Sequence, residues 1–319
     1  MSGHTMEERL SHTDAEVRRL AVIDLPYSDE VDDIAPLLTT ALSDASAAVR
    51  LEAAKALEGF EEPAVLAAIV PLLRDSDTAV REAVAYTLAE LKDPASSHAL
   101  LPYLADPDPW VQASALHAIK ALRSVEAMPA ALAALQSAHA QVRREAVGVL
   151  AYLKQTQTLG ALTQLAVHDA DPDVRRAAVG ALGFASQSEL SVQPTLSRAL
   201  GDPEWQVREE AASTMGKLGL MPGSASLIAA MDDAYWQVRL KAARALGKLR
   251  AKDALPALSN ALDHPISNLR KEAVIALGEL RDTRAIPALE HALHDADPDV
   301  RKLAKLALTQ LNMPLGSTP

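Results

Sequence analysis

A two-residue signal recurs along the chain at almost constant spacing, and it constrains the fold more than any other feature. Val-Arg or a near equivalent stands at Val17-Arg18, Val49-Arg50, Val80-Arg81, Val111-Gln112, Val142-Arg143, Val174-Arg175, Val207-Arg208, Val238-Arg239, Leu269-Arg270 and Val300-Arg301. Successive second members lie 31 to 33 residues apart, so ten units fill the chain and leave no room for an independent second domain. A period of this length belongs to stacked supersecondary units, each of which buries its apolar face only against its neighbours.

Each unit reads as two helices. After the anchor, Arg270-Lys-Glu-Ala-Val-Ile-Ala-Leu-Gly-Glu-Leu280 puts apolar residues three, six, seven and ten positions on, a helical period with one buried face. This is helix B. Ahead of it, Ala254-Leu-Pro-Ala-Leu-Ser-Asn-Ala-Leu262 and Ala285-Ile-Pro-Ala-Leu-Glu-His-Ala-Leu293 match position for position. Pro256 and Pro287 suit a first helical turn, where a missing N–H costs nothing. This is helix A. Between the two lie Asp106-Pro107, Asp171-Pro172, Asp202-Pro203, Asp232-Asp233 and Asp297-Pro298, whose short acceptors can cap the following helix. No segment alternates as a strand would.

These motifs resemble the HEAT-like repeats of the phycobilisome-lyase type, Asp295-Ala-Asp-Pro-Asp-Val-Arg301 and Ala273-Val-Ile-Ala-Leu-Gly-Glu-Leu280 most specifically. The resemblance covers nearly the whole chain and implies an all-α, right-handed α-solenoid of about ten helical pairs over residues 1–312, with 313–319 a disordered tail. It also implies that B helices line the concave surface. In similar repeats the anchor Arg and an Asp six residues before an anchor (Asp44, Asp75, Asp106, Asp169, Asp202, Asp233 and Asp295 here) build a ladder of charge-assisted hydrogen bonds between turns. Gln112 and Ser137 interrupt that pattern, and Ser186–Ser191 reads as a longer loop. Four positions past the anchor, units two to nine are apolar, whereas unit ten has Lys305, as a capping repeat with a wetted outer face needs. Unit one ends its second helix early, at Leu25-Pro26.

Composition then excludes several kinds of chemistry. The chain lacks Cys, which removes disulfides, thiolate metal sites and Cys nucleophiles. A net charge of −11 argues against nucleic acid as partner, including the DNA glycosylases built on related repeats. No apolar run reaches membrane-spanning length and no signal-peptide core opens the chain, so a cytoplasmic protein is expected. Deoxyhypusine hydroxylase, made of similar repeats, binds iron through His-Glu dipeptides; none of the nine His here is followed by Glu. His291, His294 and Asp295 lie close in sequence but read as a polar helix end. Phosphate-binding loops and Ser-His spacings are absent, so no catalytic residue, metal or cofactor is expected.

Aromatic residues carry the functional reading. Only 3% of residues are aromatic, and the B-helix wheel places Tyr86, Trp110, Tyr152, Phe184, Trp205 and Trp236, with Tyr235 beside the last, opposite the core positions. Exposed Trp and Tyr clusters anchor protein interfaces. Next to Trp205 and Trp236, Lys241, Arg244 and Lys248 form a basic patch suited to an acidic partner segment, whereas units three and four carry Glu82 and Glu90 and no basic groove residue. The expected function is therefore a non-catalytic scaffold that binds a protein or peptide across units four to eight of the groove. The resemblance supplies an alternative, a protein handling a bilin or other tetrapyrrole or a lyase subunit acting with a partner, in which Arg244 and Lys248 would pair propionates.

Overall fold

The computed structural model describes residues 5–186 and 192–312; the expected tail at 313–319 and most of the Ser186–Ser191 loop lie outside them. The described residues hold twenty α-helices and no strand. Odd-numbered helices are the A helices and even-numbered ones the B helices, so the ten expected pairs are all present. The described residues divide into two compact units between Leu153 and Lys154.

In the first unit the order is α1 (Met6–Leu10), α2 (Ala15–Asp24), α3 (Ala35–Ala41), α4 (Ala47–Ala56), α5 (Pro63–Ile69), α6 (Thr78–Ala89), α7 (Ser97–Leu100), α8 (Pro109–Ile119), α9 (Met128–Ala134) and α10 (Ala140–Leu153). B helices α2, α4, α6, α8 and α10 pack in sequence, each on the next. The A helices are short and several close in a 3-10 turn, because a Pro near their start sets their entry and leaves few residues before the next turn. Asp14, Asp77 and Asp108 cap α2, α6 and α8 by accepting N–H bonds of the first turn. Pro26 ends α2 in a 3-10 turn, as its position in the sequence requires.

The second unit runs α11 (Leu159–His168), α12 (Pro172–Ala181), α13 (Gln193–Ala199), α14 (Trp205–Leu218), α15 (Ser224–Ala229), α16 (Trp236–Leu249), α17 (Leu255–Asn260), α18 (Ser267–Glu279), α19 (Ile286–Ala292) and α20 (Pro298–Asn312). Here α12, α14, α16, α18 and α20 pack in sequence. Pro256 and Pro287 stand in the first turns of α17 and α19 as expected.

Glycine sets the closeness of this second stack. Gly216, Gly247 and Gly278 occupy one register, eight past the anchor, and a Cβ at each would meet Ala245, Ala276 or Ala307 at 2.8, 2.7 and 2.9 Å. Backbone therefore lies against an Ala of the next B helix, an approach no larger residue allows. The same register in units three and five holds Ala89 and Ala151.

The core is Ala, Leu and Val with some Ile and Met. None of the ten aromatic side chains, all within the described residues, is buried. Lys305 is exposed where the interior units keep an apolar residue, and Leu306 beside it is 52% exposed.

Candidate functional site

The anchor arginines build the ladder, and each has two jobs. Arg18 donates from Nε and Nη2 to Asp44, and Arg50 to Asp75, all at 2.7–2.8 Å. Their Nη1 atoms donate to the carbonyls of His12 and Asp44, six residues back in their own repeats. Arg175, Arg208 and Arg270 repeat this geometry with Asp202, Asp233 and Asp295 in the second unit. Each rung carboxylate also accepts a backbone N–H two residues on, for example Ser46 N to Asp44 and Glu204 N to Asp202. These backbone bonds hold the carboxylate and the guanidinium fork in register with one another.

Two rungs differ from expectation. Asp106 is paired with Arg74 rather than Arg81. Arg81 instead keeps the Asp75 carbonyl and lies over the Trp110 ring, 5.6 Å from its centroid, while Arg74 holds the carboxylate. After Arg239 the rung residue is His264, whose Nδ1 accepts from Ile266 N at 3.1 Å, the bond an Asp would take. Burial, with Arg239 and Arg270 on either side, holds this imidazole below its usual range.

The ladder also explains part of the aromatic pattern. Tyr235 lies under the Arg208 guanidinium at 5.7 Å and stacks on Trp205, centroids 5.4 Å apart and planes 13° from parallel. Trp110 and Tyr235 thus cover ladder arginines, and Trp205 stacks on one of those rings. Trp110 and Trp205 are half-buried, as are Phe184 and Trp236, while Tyr235 and Tyr152 are 45% and 44% exposed and Tyr86 is 63% exposed. Tyr86, Trp110 and Tyr152 belong to the first unit; the other four belong to the second.

The basic patch carries less free charge than its residue types imply. Lys241 Nζ lies 3.7 Å from Glu209, and Arg244 grips the buried Glu272 with Nε and Nη2 at 2.9 and 2.6 Å. A neighbouring repeat supplies each carboxylate at the facing register, so the positive row is met by a negative one. Lys248 is exposed and close enough to Glu279 to act on it. Burial and repulsion from Glu272 hold Glu279 above the usual carboxylate range, against the pull of Lys248 and Arg244.

In the first unit the B helices leave a recess of about 300 Å³ lined by Glu82 and Tyr86 of α6, Trp110, Ser114 and His117 of α8, and Gln141 and Glu145 of α10. Two expected residues, Tyr86 and Trp110, meet here. Glu145 accepts from His117 Nδ1 at 2.9 Å and Lys120 Nζ at 3.4 Å. Burial raises its carboxyl, but those partners outweigh it and keep the group ionised. The sequence reading passed over His117, Lys120 and Glu145, although their register is visible, five and eight past one anchor and two past the next.

A second recess of about 510 Å³ lies among A helices of the same unit, lined by Leu66, Val70, Pro71, Ala99 and Tyr103 with Glu61 and His98 at its polar edge. Arg74 lies over its Tyr103 at 5.3 Å. Helix-B arguments could not have found it. The polar helix end at His291 forms no ligand cluster: Asp295 is taken by Arg270, and His291 faces Asp263 at 3.5 Å. Among the described residues no helix is long and apolar enough to cross a membrane.

Comparison with known proteins agrees with this geometry. The chain resembles a crystal structure of an engineered protein, with a TM-score of 0.54 and 22% identity over 97% of this chain and 98% of that one. It also resembles Kap95p, solved for a binding that induces the switch loops of RanGDP to adopt the GTP-bound conformation, with a TM-score of 0.67 and 13% identity. That likeness covers 96% of this chain and 51% of Kap95p, so the chain spans about half its length. At these identities the likeness concerns the fold, an α-solenoid. None of the curated protein sequences matches the chain. A family model described as HEAT repeats matches residues 5–77, 34–120, 66–151, 128–193, 161–231 and 224–309. With those overlapping matches running almost end to end, the chain belongs to the HEAT-repeat family.

Proposed function

We propose that the protein is a non-catalytic interaction scaffold of the phycobilisome-lyase repeat subtype, one solenoid over residues 1–312 whose protein or peptide partners dock on the face lined by B helices. The observation that carries this reading is the placement of the aromatics. Every position of the core is filled by smaller apolar side chains, and all ten aromatic side chains keep contact with solvent. Exposed indole and phenol rings are disfavoured by water and are the usual anchors of interfaces. Kap95p, a neighbour in fold, binds a protein.

The tetrapyrrole reading has less support, because Glu272 already holds the Arg244 guanidinium that a propionate would need. A photo-crosslinking residue at Trp236 tests the scaffold reading in cells, with the same residue at Glu290, exposed on α19, as control. Crosslinks to a defined partner are expected from Trp236 alone. Trp205→Ala with Trp236→Ala should weaken that partner's binding by about two orders of magnitude, a loss of roughly 2.8 kcal/mol for the pair of aromatic anchors. A partner whose binding survives the double change, or equal crosslinking at Glu290, would overturn the assignment of the face.

A further inference from the structure

The recess between Tyr86 and Trp110 is specific about charge. Tyr86 is the most exposed of its lining aromatics, at 63%, and Glu82 stands one helical turn before it on α6 with an exposed carboxylate that has no ion-pair partner among the described residues. Glu145 closes the opposite wall. The cations nearby are all engaged. Lys120 is held by Glu145, Arg144 lies 3.6 Å from the same carboxylate, and Arg81 donates to the Asp75 carbonyl and the Thr78 hydroxyl while covering Trp110.

Among the described residues a guanidinium covers a ring three times, Arg74 over Tyr103, Arg208 over Tyr235 and, in this recess itself, Arg81 over Trp110. Tyr86 has a ring of the same kind, a carboxylate beside it and no such cation. A phenol face next to a carboxylate attracts a cation through both the ring quadrupole and the charge. The volume of about 300 Å³ suits one long side chain. An anionic ligand would meet the unpaired Glu82 carboxylate here, with no cation free to compensate it.

Building on the scaffold reading, we propose that this recess receives a single Lys or Arg side chain from a basic segment of a partner protein. The segment lies across α6, α8 and α10, with its cation between Glu82 and the Tyr86 ring.

The test is fluorescence anisotropy of a labelled tetra-arginine peptide, with a tetra-glutamate peptide as its opposite, titrated with the full chain at low salt. Tetra-arginine should bind, and Glu82→Gln and Tyr86→Ala should each weaken it about tenfold, as loss of a charge or a ring face at such a site does. Glu290→Gln removes the same charge from an exposed A-helix position and should leave binding unchanged. Thermal melts establish that each variant folds, and Glu82→Lys gives a second reading of the same sign. No binding of tetra-arginine, equal weakening by Glu82→Gln and Glu290→Gln, no effect of Tyr86→Ala, or preference for tetra-glutamate would each overturn the proposal. Because the Trp236 crosslinks report on the second unit, their persistence alongside a failure here would remove this inference and leave the scaffold reading standing.

Discussion

Arg175 holds Asp202 of the following repeat with two parallel bonds, Nε to Oδ2 at 2.7 Å and Nη2 to Oδ1 at 2.9 Å, while its Nη1 donates back to the Asp169 carbonyl at 2.9 Å. One side chain therefore ties the turn of its own repeat to the turn of the next. Both side chains are nearly closed off from water, 12% and 8% exposed. Arg175→Ala leaves a part-buried carboxylate without its partner, and denaturant unfolding should show a loss of roughly 2 to 4 kcal/mol. Arg81→Ala, at a rung whose carboxylate Asp106 is held by Arg74 instead, should cost about 1 kcal/mol. Equal losses at the two positions would show that the carboxylate pairing contributes nothing.

The ladder gives stability an acid limit. Hydrogen bonds from the partner Arg are the largest cause holding Asp44, Asp75 and Asp295 below the usual carboxylate range; at Asp202 and Asp233 burial is the largest cause and acts upward, and the Arg bonds, a backbone N–H bond and the nearby Arg charges together outweigh it. A carboxylate with a lowered folded pKa contributes stability that is complete above its unfolded value, about 3.9 for Asp, and is lost as pH falls through the folded value. The thermal midpoint should therefore be steady above about pH 5 and fall below about pH 4. Arg175→Ala should flatten that fall, and an unchanged slope would remove the ladder as its source.

Glu279 has the opposite sign. Burial and repulsion from Glu272 raise its carboxyl, so its ionised form at neutral pH is unfavourable to the fold and protonation relieves it. Glu279→Gln should raise the midpoint at pH 7, with the gain disappearing toward pH 4.

Close packing of the second unit's B helices can be read from two glycines. A Cβ at Gly247 would lie 2.7 Å from the Ala276 Cα, so Gly247→Ala should destabilise by about 1 to 3 kcal/mol despite its better helix propensity. Gly160, in α11, has nothing within 4 Å of the same position, and Gly160→Ala should stabilise by about 0.4 to 1 kcal/mol. Chemical denaturation of the two variants measures both; two effects of the same sign would contradict the packing.

Core and face should separate as cleanly. Leu277 is fully buried in α18 and Leu277→Ala should cost about 2 to 5 kcal/mol, whereas Tyr86→Ala should stay within about 0.5 kcal/mol of the parent. A large loss at Tyr86 in thermal melts would make it a packing residue and not part of a binding face.

The sequence by itself determined the repeat, the helix pairs, the core positions and the aspartates that close seven of the turns, because each is a local periodicity or cap that a single unit specifies and the chain states again and again. It also put Tyr86 of α6 and Trp110 of α8 each on the side of its helix away from the core, since a wheel needs only spacing. Pairing between repeats was decided by the tertiary structure. Whether Arg81 meets Asp106 or the Trp110 ring depends on what lies across the stack, some 25 to 30 residues away, and Arg74 reaches Asp106 first. The same holds for charge: Lys241 and Arg244 read as a free basic row along one helix, and only the facing helices show that Glu209 and Glu272 occupy them. The recess beside Tyr86 belongs to three helices at once, and its width is set by backbone separation, which no linear pattern encodes.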